Sequence, residues 1–216
     1  MTDKTYIRAS RARLLTPNEH AAFTRYCCRT SGDAVERLFV LYSLIRYTGL
    51  RIGEALALTV GDVWDGYDIR RTLTAHTSKQ RNAKRQRNLS LCSDRDALRT
   101  RLKQWVRKTL KNRGLAGPEQ WQNYPLVHTT TGRTVDRVSI THQLYETCDR
   151  AQIARFSWHD LRHGYGQELY DHSGGDTELV TAALGHTNPA TTRKYLHPTV
   201  DRLHELNIAI SNRPVK

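Results

Sequence analysis

Side chains able to carry out chemistry are concentrated in one stretch, residues 157–198. In order, these side chains belong to His159, Arg162, His163, His186 and Tyr195. Imidazole groups exchange protons near neutral pH, a guanidinium binds anions through paired hydrogen bonds, and a phenol becomes a nucleophile when a neighbouring group activates it. A segment that only filled a core would not need this combination. We therefore interpret residues 157–198 as an active-site segment.

The elements that must position these side chains are predicted to be short helices. Residues 164–183 have helical spacing that is interrupted at 173–175. Asp176 or Thr177 is the expected N-cap of the turn after the interruption, and Gly185 is the expected helix stop. His186 would then follow directly on the end of a helix.

The rest of the chain predicts a mainly helical domain with a small antiparallel hairpin, an α+β fold. Thr16 and Glu19 are spaced as a capping box for a helix that runs to about Arg29. Apolar residues then recur at helical spacing over residues 34–47. Further helices are expected up to residue 110 and over residues 135–151, the latter with Val138 among its packed residues. Residues 126–129 are predicted to form a short strand, and residues 111–124 a loop.

Composition favours a nucleic-acid partner. The 216 residues include 34 Lys or Arg and 21 Asp or Glu, which gives a net charge of +13. No apolar run approaches the roughly 18–20 residues of a membrane helix, and the first residues lack an apolar signal region. The cysteines have no zinc-binding spacing, and His159 with His163 lacks an evident third ligand. We expect no metal, no cofactor and reduced thiols in a cytosolic protein.

A strongly basic loop separates two extended segments. Residues 64–67 are predicted to turn, residues 69–77 to form a strand, and residues 89–91 to end a second strand. The ten residues 78–87 between them contain five cations, namely Lys79, Arg81, Lys84, Arg85 and Arg87. We interpret the loop as a hairpin tip able to lie in a DNA groove, the alternative being a charged loop that only stays solvated.

Five motifs in order resemble the catalytic domain of the tyrosine recombinases, the family of phage-type integrases. They are TGLRIGEALAL, the basic hairpin, HDLRH, ALGH and TTRKY. The resemblance extends over roughly residues 16–210, and the nine positions from His186 to Tyr195 are the spacing typical of the family. It implies the fold that this family shares with type IB topoisomerases.

The resemblance also implies roles for individual residues. The catalytic set would be Arg51, Lys79, His159, Arg162, His186 and Tyr195. Glu54 matches the acidic neighbour that helps to hold the site, although spacing alone favours an ordinary surface pair of Arg51 with Glu54. Lys84 competes with Lys79 for the position of the catalytic lysine. The hairpin cations named above would contact DNA.

The implied function is site-specific recombination, in which DNA strands are cleaved and rejoined through a 3′-phosphotyrosyl intermediate. Integration, excision, inversion and resolution are all compatible with these residues. Two alternatives stay open at the level of sequence. One is nicking and relaxation of supercoils in the manner of a type IB topoisomerase. The other is a DNA-binding regulator without catalysis, which the complete catalytic set argues against.

We expect three parts: a basic arm over residues 1–15, the catalytic domain over 16–198, and a helical tail over 199–216. This layout is similar to that of the minimal recombinases of fimbrial switching, but the catalytic part of a larger integrase would look the same. The expected partners are double-stranded DNA, further copies of the chain in a tetramer, and an accessory DNA-bending protein. The tail would pack on a neighbouring subunit or in cis. We expect no membrane association and a cytoplasmic, nucleoid-associated protein.

Overall fold

A computed structural model describes residues 13–76, 86–91 and 97–186. These residues form helices and one two-stranded antiparallel sheet, which confirms the predicted mainly helical α+β fold. The helices are α1 (Pro17–Arg29), α2 (Asp33–Thr48), α3 (Ile52–Leu56), α4 (Val60–Val63), α5 (Ala97–Arg113), α6 (Pro118–Trp121), α7 (Arg137–Arg150), α8 (Trp158–His172) and α9 (Thr177–Leu184). The strands are β1 (Thr72–His76) and β2 (Gln86–Ser90), and Thr72 pairs with Ser90.

Helix α2 lies at the centre of the domain. Every residue from Leu38 to Ile45 is buried, as expected for a helix that neighbours surround on all sides. It packs against α1, α3, α5, α7 and α8. The rings of Phe23 on α1 and Tyr42 on α2 lie 4.5 Å apart, and Phe156, just before α8, packs edge-on against Phe23. The core therefore fixes α2 relative to the start of α8.

Local capping signals set the helix ends as predicted. The backbone N–H of Glu19 donates to Thr16 Oγ1 over 3.2 Å. In return, the backbone N–H of Thr16 donates to the Glu19 carboxylate over 2.9 Å. These two bonds confirm the capping box of α1. Asp176 accepts from Leu179 Nα and is thus the N-cap of α9. Gly185 ends α9 in the left-handed conformation with φ 61°, as the sequence predicted.

The start of α8 is fastened to the beginning of the described chain. Ser157 and Asp160 form a capping box, and Asp160 also accepts from Arg13 Nα over 3.0 Å. The Arg13 guanidinium donates to Ala154 O and pairs with Glu19 at 2.7 Å. The last residues of the predicted basic arm therefore contact the domain and hold the turn from which α8 begins.

Three local predictions were wrong. Residues 126–129 do not form a strand, and His128 takes part in a single isolated bridge, with Thr134. The predicted loop 111–124 contains the last turn of α5 and the whole of α6. Val138, predicted to pack, is 75% exposed, because the packed face of α7 runs through Ile140 and Leu144 instead.

We predict that the free energy of unfolding falls as the pH drops from about 6.5 to about 4, because His20 is held neutral. Its Nδ1 lies 2.6 Å from Tyr42 Oη, and burial lowers the pKa of His20 from 6.5 to about 4; Arg46 adds to this shift while Glu168 and Glu19 oppose it. In the unfolded chain His20 binds a proton at higher pH than in the folded protein. Acidification therefore lowers the free energy of unfolding, by at most about 3 kcal/mol. Urea unfolding at pH 7 and pH 5 measures it.

His20→Gln removes the titration of this residue and should reduce the pH dependence of the free energy of unfolding. His142→Gln is the matched control for the same chemical change at a surface position, because the His142 side chain is 73% exposed. An unchanged pH dependence in His20→Gln would contradict the assignment.

Candidate active site

The buried guanidinium of Arg162 is the centre of the site. Helix α8 carries Arg162 in its second turn, and the residue is only 4% exposed. Nη1 donates to Gly49 O, and Nη2 donates to Leu184 O over 2.5 Å. Nη2 also lies 3.1 Å from Nε2 of His186. Because a guanidinium only donates, His186 Nε2 must accept, which leaves the imidazole neutral with its proton on Nδ1.

Arg51 approaches the same point from the turn before α3. Its Nη1 donates to Glu54 Oε1 over 2.8 Å, and its backbone N–H donates to Glu54 Oε2 over 2.8 Å. Nη2 lies 3.4 Å from Gly185 O, at the end of α9. The Glu54 side chain is 4% exposed and that of Arg51 is 31% exposed. The pair is therefore anchored on a buried carboxylate, and the ordinary surface pair favoured by spacing alone is wrong.

His159 lies one turn before Arg162, near both arginines. Its ring packs edge-on against that of His163, with the centroids 4.7 Å apart. Partial burial lowers the pKa of His159, Asp160 raises it, and Arg162 and Arg51 lower it further. The net direction is downward, so the His159 imidazole is neutral at neutral pH and able to accept a proton. His163 is buried and packs against it.

Four of the six predicted catalytic residues therefore converge, namely Arg51, His159, Arg162 and His186. Lys79 and Tyr195 lie outside the described residues, as do Arg81, Lys84 and Arg85. Arg87 lies in β2, opposite Ala75 of β1. Helix α9 packs against β2, so the base of the hairpin adjoins the helix whose end carries His186.

The partners of Arg162 are what the sequence did not reveal. Both Gly49 O and Leu184 O belong to helix ends, and Gly49 caps α2 in the left-handed conformation with φ 64°. The stop at Gly185 was visible as a local signal. Nothing in the spacing of these residues indicated that one guanidinium would bridge the two ends.

The described residues contain no group of three or more His, Cys, Asp or Glu side chains placed to hold a metal ion. Among the described helices, none combines the length and the apolar character that crossing a membrane requires. The four predicted catalytic side chains that the structure describes are two guanidiniums and two imidazoles. Such groups bind an anion and transfer a proton beside it.

The sequence matches the model of the phage integrase family over residues 13–202. It is 30% identical over 167 residues to the tyrosine recombinase XerD of Corynebacterium glutamicum, covering 77% of this chain and 50% of that protein. It is 31% identical over 182 residues to XerD of Mycobacterium leprae, covering 82% and 53%. The chain thus spans about half the length of the curated relatives that it matches.

Solved recombinase structures have the same fold. The crystal structure of XerA recombinase superposes with a TM-score of 0.69 at 20% identity, covering 94% of this chain and 66% of that one. XerH bound to its difH substrate in a pre-cleavage complex gives a TM-score of 0.63 at 23% identity, covering 97% and 57%. The helical arrangement that gathers the four residues is therefore the fold of these proteins.

We predict that Glu54→Gln lowers the free energy of unfolding by about 1–2 kcal/mol, because two hydrogen bonds lose their charge assistance. Urea unfolding measures the change. Glu178→Gln on the exposed side of α9 is the control, expected to change stability by about 0–0.5 kcal/mol. Equal, small effects of the two substitutions would show that Glu54 does not anchor Arg51.

Proposed function

Because the chain belongs to the phage integrase family, we propose that it is a site-specific DNA recombinase acting through a 3′-phosphotyrosyl intermediate. The observation that carries the proposal is the convergence of Arg51 and Arg162 on the end of α9, beside His186. Two guanidiniums held in one place are suited to a phosphodiester, which has two non-bridging oxygens for them to bind.

The arginines would stabilise the charge that develops when the phosphodiester is attacked. Arg162 is fixed by backbone carbonyls and Arg51 by Glu54, so neither guanidinium has to reorganise as charge accumulates on the phosphate. Preorganised donors of this kind are typically worth ~10²–10³ in rate each. His186, neutral in the described arrangement, can donate from Nδ1 to a phosphate oxygen.

Tyr195 would be the nucleophile and His159 the base. The phenol oxygen bonds to phosphorus while the bond from phosphorus to the 5′ oxygen breaks, and the phenol proton passes to His159. The departing 5′ oxygen takes a proton from the Lys79 ammonium, with Lys84 as the alternative donor. The lowered pKa of His159 supports its role as acceptor at neutral pH. Attack on the phosphotyrosine by a 5′ hydroxyl of another strand reverses these steps and completes the exchange.

Double-stranded DNA is the proposed substrate. The net charge of +13 supports binding to a polyanion, and the hairpin cations Lys79, Arg81, Lys84, Arg85 and Arg87 are proposed to lie in a groove. Binding through many phosphate contacts would weaken steeply as salt rises.

Strand exchange requires several copies of the chain at once. We place the protein in a homo-tetramer on paired sites in the cytoplasm, at the nucleoid, with an accessory DNA-bending protein as a further partner. Residues 199–216 are proposed to pack on a neighbouring subunit, the alternative being packing in cis. Their apolar residues recur at spacing that suits an amphipathic helix.

We predict that a nicked suicide duplex from the recombination site gives a covalent protein–DNA band with wild type in EDTA, and none with Tyr195→Phe. The phenol oxygen forms the bond to phosphorus, and its loss leaves DNA binding intact. Denaturing electrophoresis detects the band, and a gel shift under native conditions confirms that both proteins bind the duplex.

A band with Tyr195→Phe would exclude this nucleophile, and no band with either protein, despite equal binding, would favour a regulator without catalysis. Plasmid relaxation separates the remaining enzymes. Relaxation without any recombination site would favour the topoisomerase alternative, whereas dependence on paired sites is expected of a recombinase.

We predict that a chain ending at Thr199 binds a single site but no longer assembles on paired sites, because the segment that joins subunits is missing. Light scattering with and without DNA measures the assembly. Assembly identical to that of the full chain would exclude exchange of the tail between subunits.

A further inference from the structure

We infer that Tyr165 is a positioning residue for both candidate catalytic arginines, because its ring sets the place of Gly49 against α8. The inference rests on the proposed function and adds to it a residue that does not touch the reacting groups. It concerns a contact that we name the Gly49 joint, formed by Gly49, Tyr165, Gly166 and Leu184.

Tyr165 packs directly against the glycine. A Cβ atom added to Gly49 would lie 2.4 Å from Cδ1 and 2.8 Å from Cε1 of Tyr165. Real Cβ atoms do not approach other atoms so closely, so the ring occupies the space that any side chain at position 49 would need. Gly49 is buried and adopts φ 64°, a conformation that favours glycine. The ring and the glycine therefore fit one another closely.

Leu184 completes the joint from the third segment. The same added Cβ would lie 3.1 Å from Leu184 Cδ2, and a Cβ on Gly166 would lie 3.0 Å from Leu184 Cδ1. Two glycines thus let the end of α2, the middle of α8 and the last residue of α9 meet. Of the four residues, Tyr165 alone contributes a ring, and this ring packs against Gly49, whose carbonyl binds Arg162 of the same helix.

The joint lies directly behind the guanidiniums. Arg162 bridges Gly49 O and Leu184 O, which belong to the two segments that Tyr165 and Leu184 bring together. Arg51 follows Gly49 by two residues, so the position of the glycine also sets where the Arg51 backbone begins. A guanidinium can bind both carbonyls only while their separation is fixed. The Tyr165 ring contributes to this by holding Gly49 in place against α8, the helix that carries Arg162.

Removing the ring should therefore disturb catalysis more than binding. With leucine at this position Gly49 can move toward α8, which changes the separation of the two carbonyls and the direction of Arg51. Displacement of catalytic groups by about 1 Å can cost about 10²-fold in rate. The hairpin cations that are proposed to contact DNA are not part of the Gly49 joint, so binding of the DNA backbone should persist.

The test compares Tyr165→Leu and Tyr165→Phe with wild type. We predict that Tyr165→Leu lowers the single-turnover rate of covalent complex formation on the suicide duplex by about 10²-fold, with the dissociation constant for DNA unchanged. Tyr165→Phe keeps the ring and should lose far less rate than Tyr165→Leu. If Tyr165→Leu does not fold, Tyr165→Met is tested in its place, because the flexible methionine side chain fills the volume without a ring.

Glu168→Gln is the matched control on the same helix. Glu168 lies one turn after Tyr165 and pairs with Arg46, which also joins α8 to α2. The two carbonyls are bound by Arg162 and not by this pair. We expect Glu168→Gln to lower the urea concentration at the midpoint of unfolding slightly and to leave the cleavage rate unchanged. An equal loss of rate in Glu168→Gln and Tyr165→Leu would mean that general loosening of the α2–α8 contact is responsible, and would overturn the inference.

A second measurement does not depend on activity. The N–H protons of Arg162, bound to buried carbonyls, should give slowly exchanging side-chain signals in NMR spectra of the ¹⁵N-labelled protein. We expect these signals in wild type and Tyr165→Phe and their loss in the leucine variant. If wild type forms no covalent complex, the proposed function fails while the joint is judged on these signals alone. Unchanged Arg162 signals or an unchanged cleavage rate in Tyr165→Leu would overturn the inference.

Discussion

The hydrogen bonds that hold the buried guanidinium of Arg162 are the interaction on which the rest of this structure depends. A charge removed from water costs several kcal/mol unless hydrogen bonds replace its hydration. Here the acceptors include the carbonyls of Gly49 and Leu184, at the C-terminal ends of α2 and α9. Helix C-termini have unsatisfied carbonyls and a partial negative charge, so both ends are suited to a cation. The requirement to satisfy one side chain on α8 thus fixes three helices relative to one another.

The two arginines are held in different ways, and this difference suits different tasks. Arg162 is almost inaccessible and donates to backbone groups that cannot dissociate without moving a helix. Arg51 is partly exposed, is held on one side by Glu54, and makes only a 3.4 Å contact from Nη2 to Gly185 O. A phosphate oxygen can replace that long contact at little cost. Arg162 is therefore the more rigidly held of the two proposed phosphate-binding groups, whereas Arg51 has a donor that an incoming anion can take over.

Sequence alone predicted the features that neighbouring residues determine. The capping box of Thr16 and Glu19, the N-cap Asp176 and the stop at Gly185 involve residues a few positions apart, and each was found where it was expected. The bond from Arg162 to Gly49 O joins residues 113 positions apart, and no periodicity records such a contact. The prediction that Val138 packs in the core was wrong for a related reason. Helical spacing does not say which face of α7 the rest of the domain covers.

The candidate site was predicted through motifs rather than through geometry. Spacing alone favoured a surface pair for Arg51 and Glu54, and only the order of the motifs indicated otherwise. The structure supplies the missing reason, since Glu54 is buried beneath the guanidinium. In the proposed reaction the charge that binds phosphate comes from arginines, which do not titrate in the physiological range, while the base is a histidine that does. Acidification would consequently remove the proton acceptor while both arginines keep their charge, so that DNA binding and cleavage depend on pH in different ways.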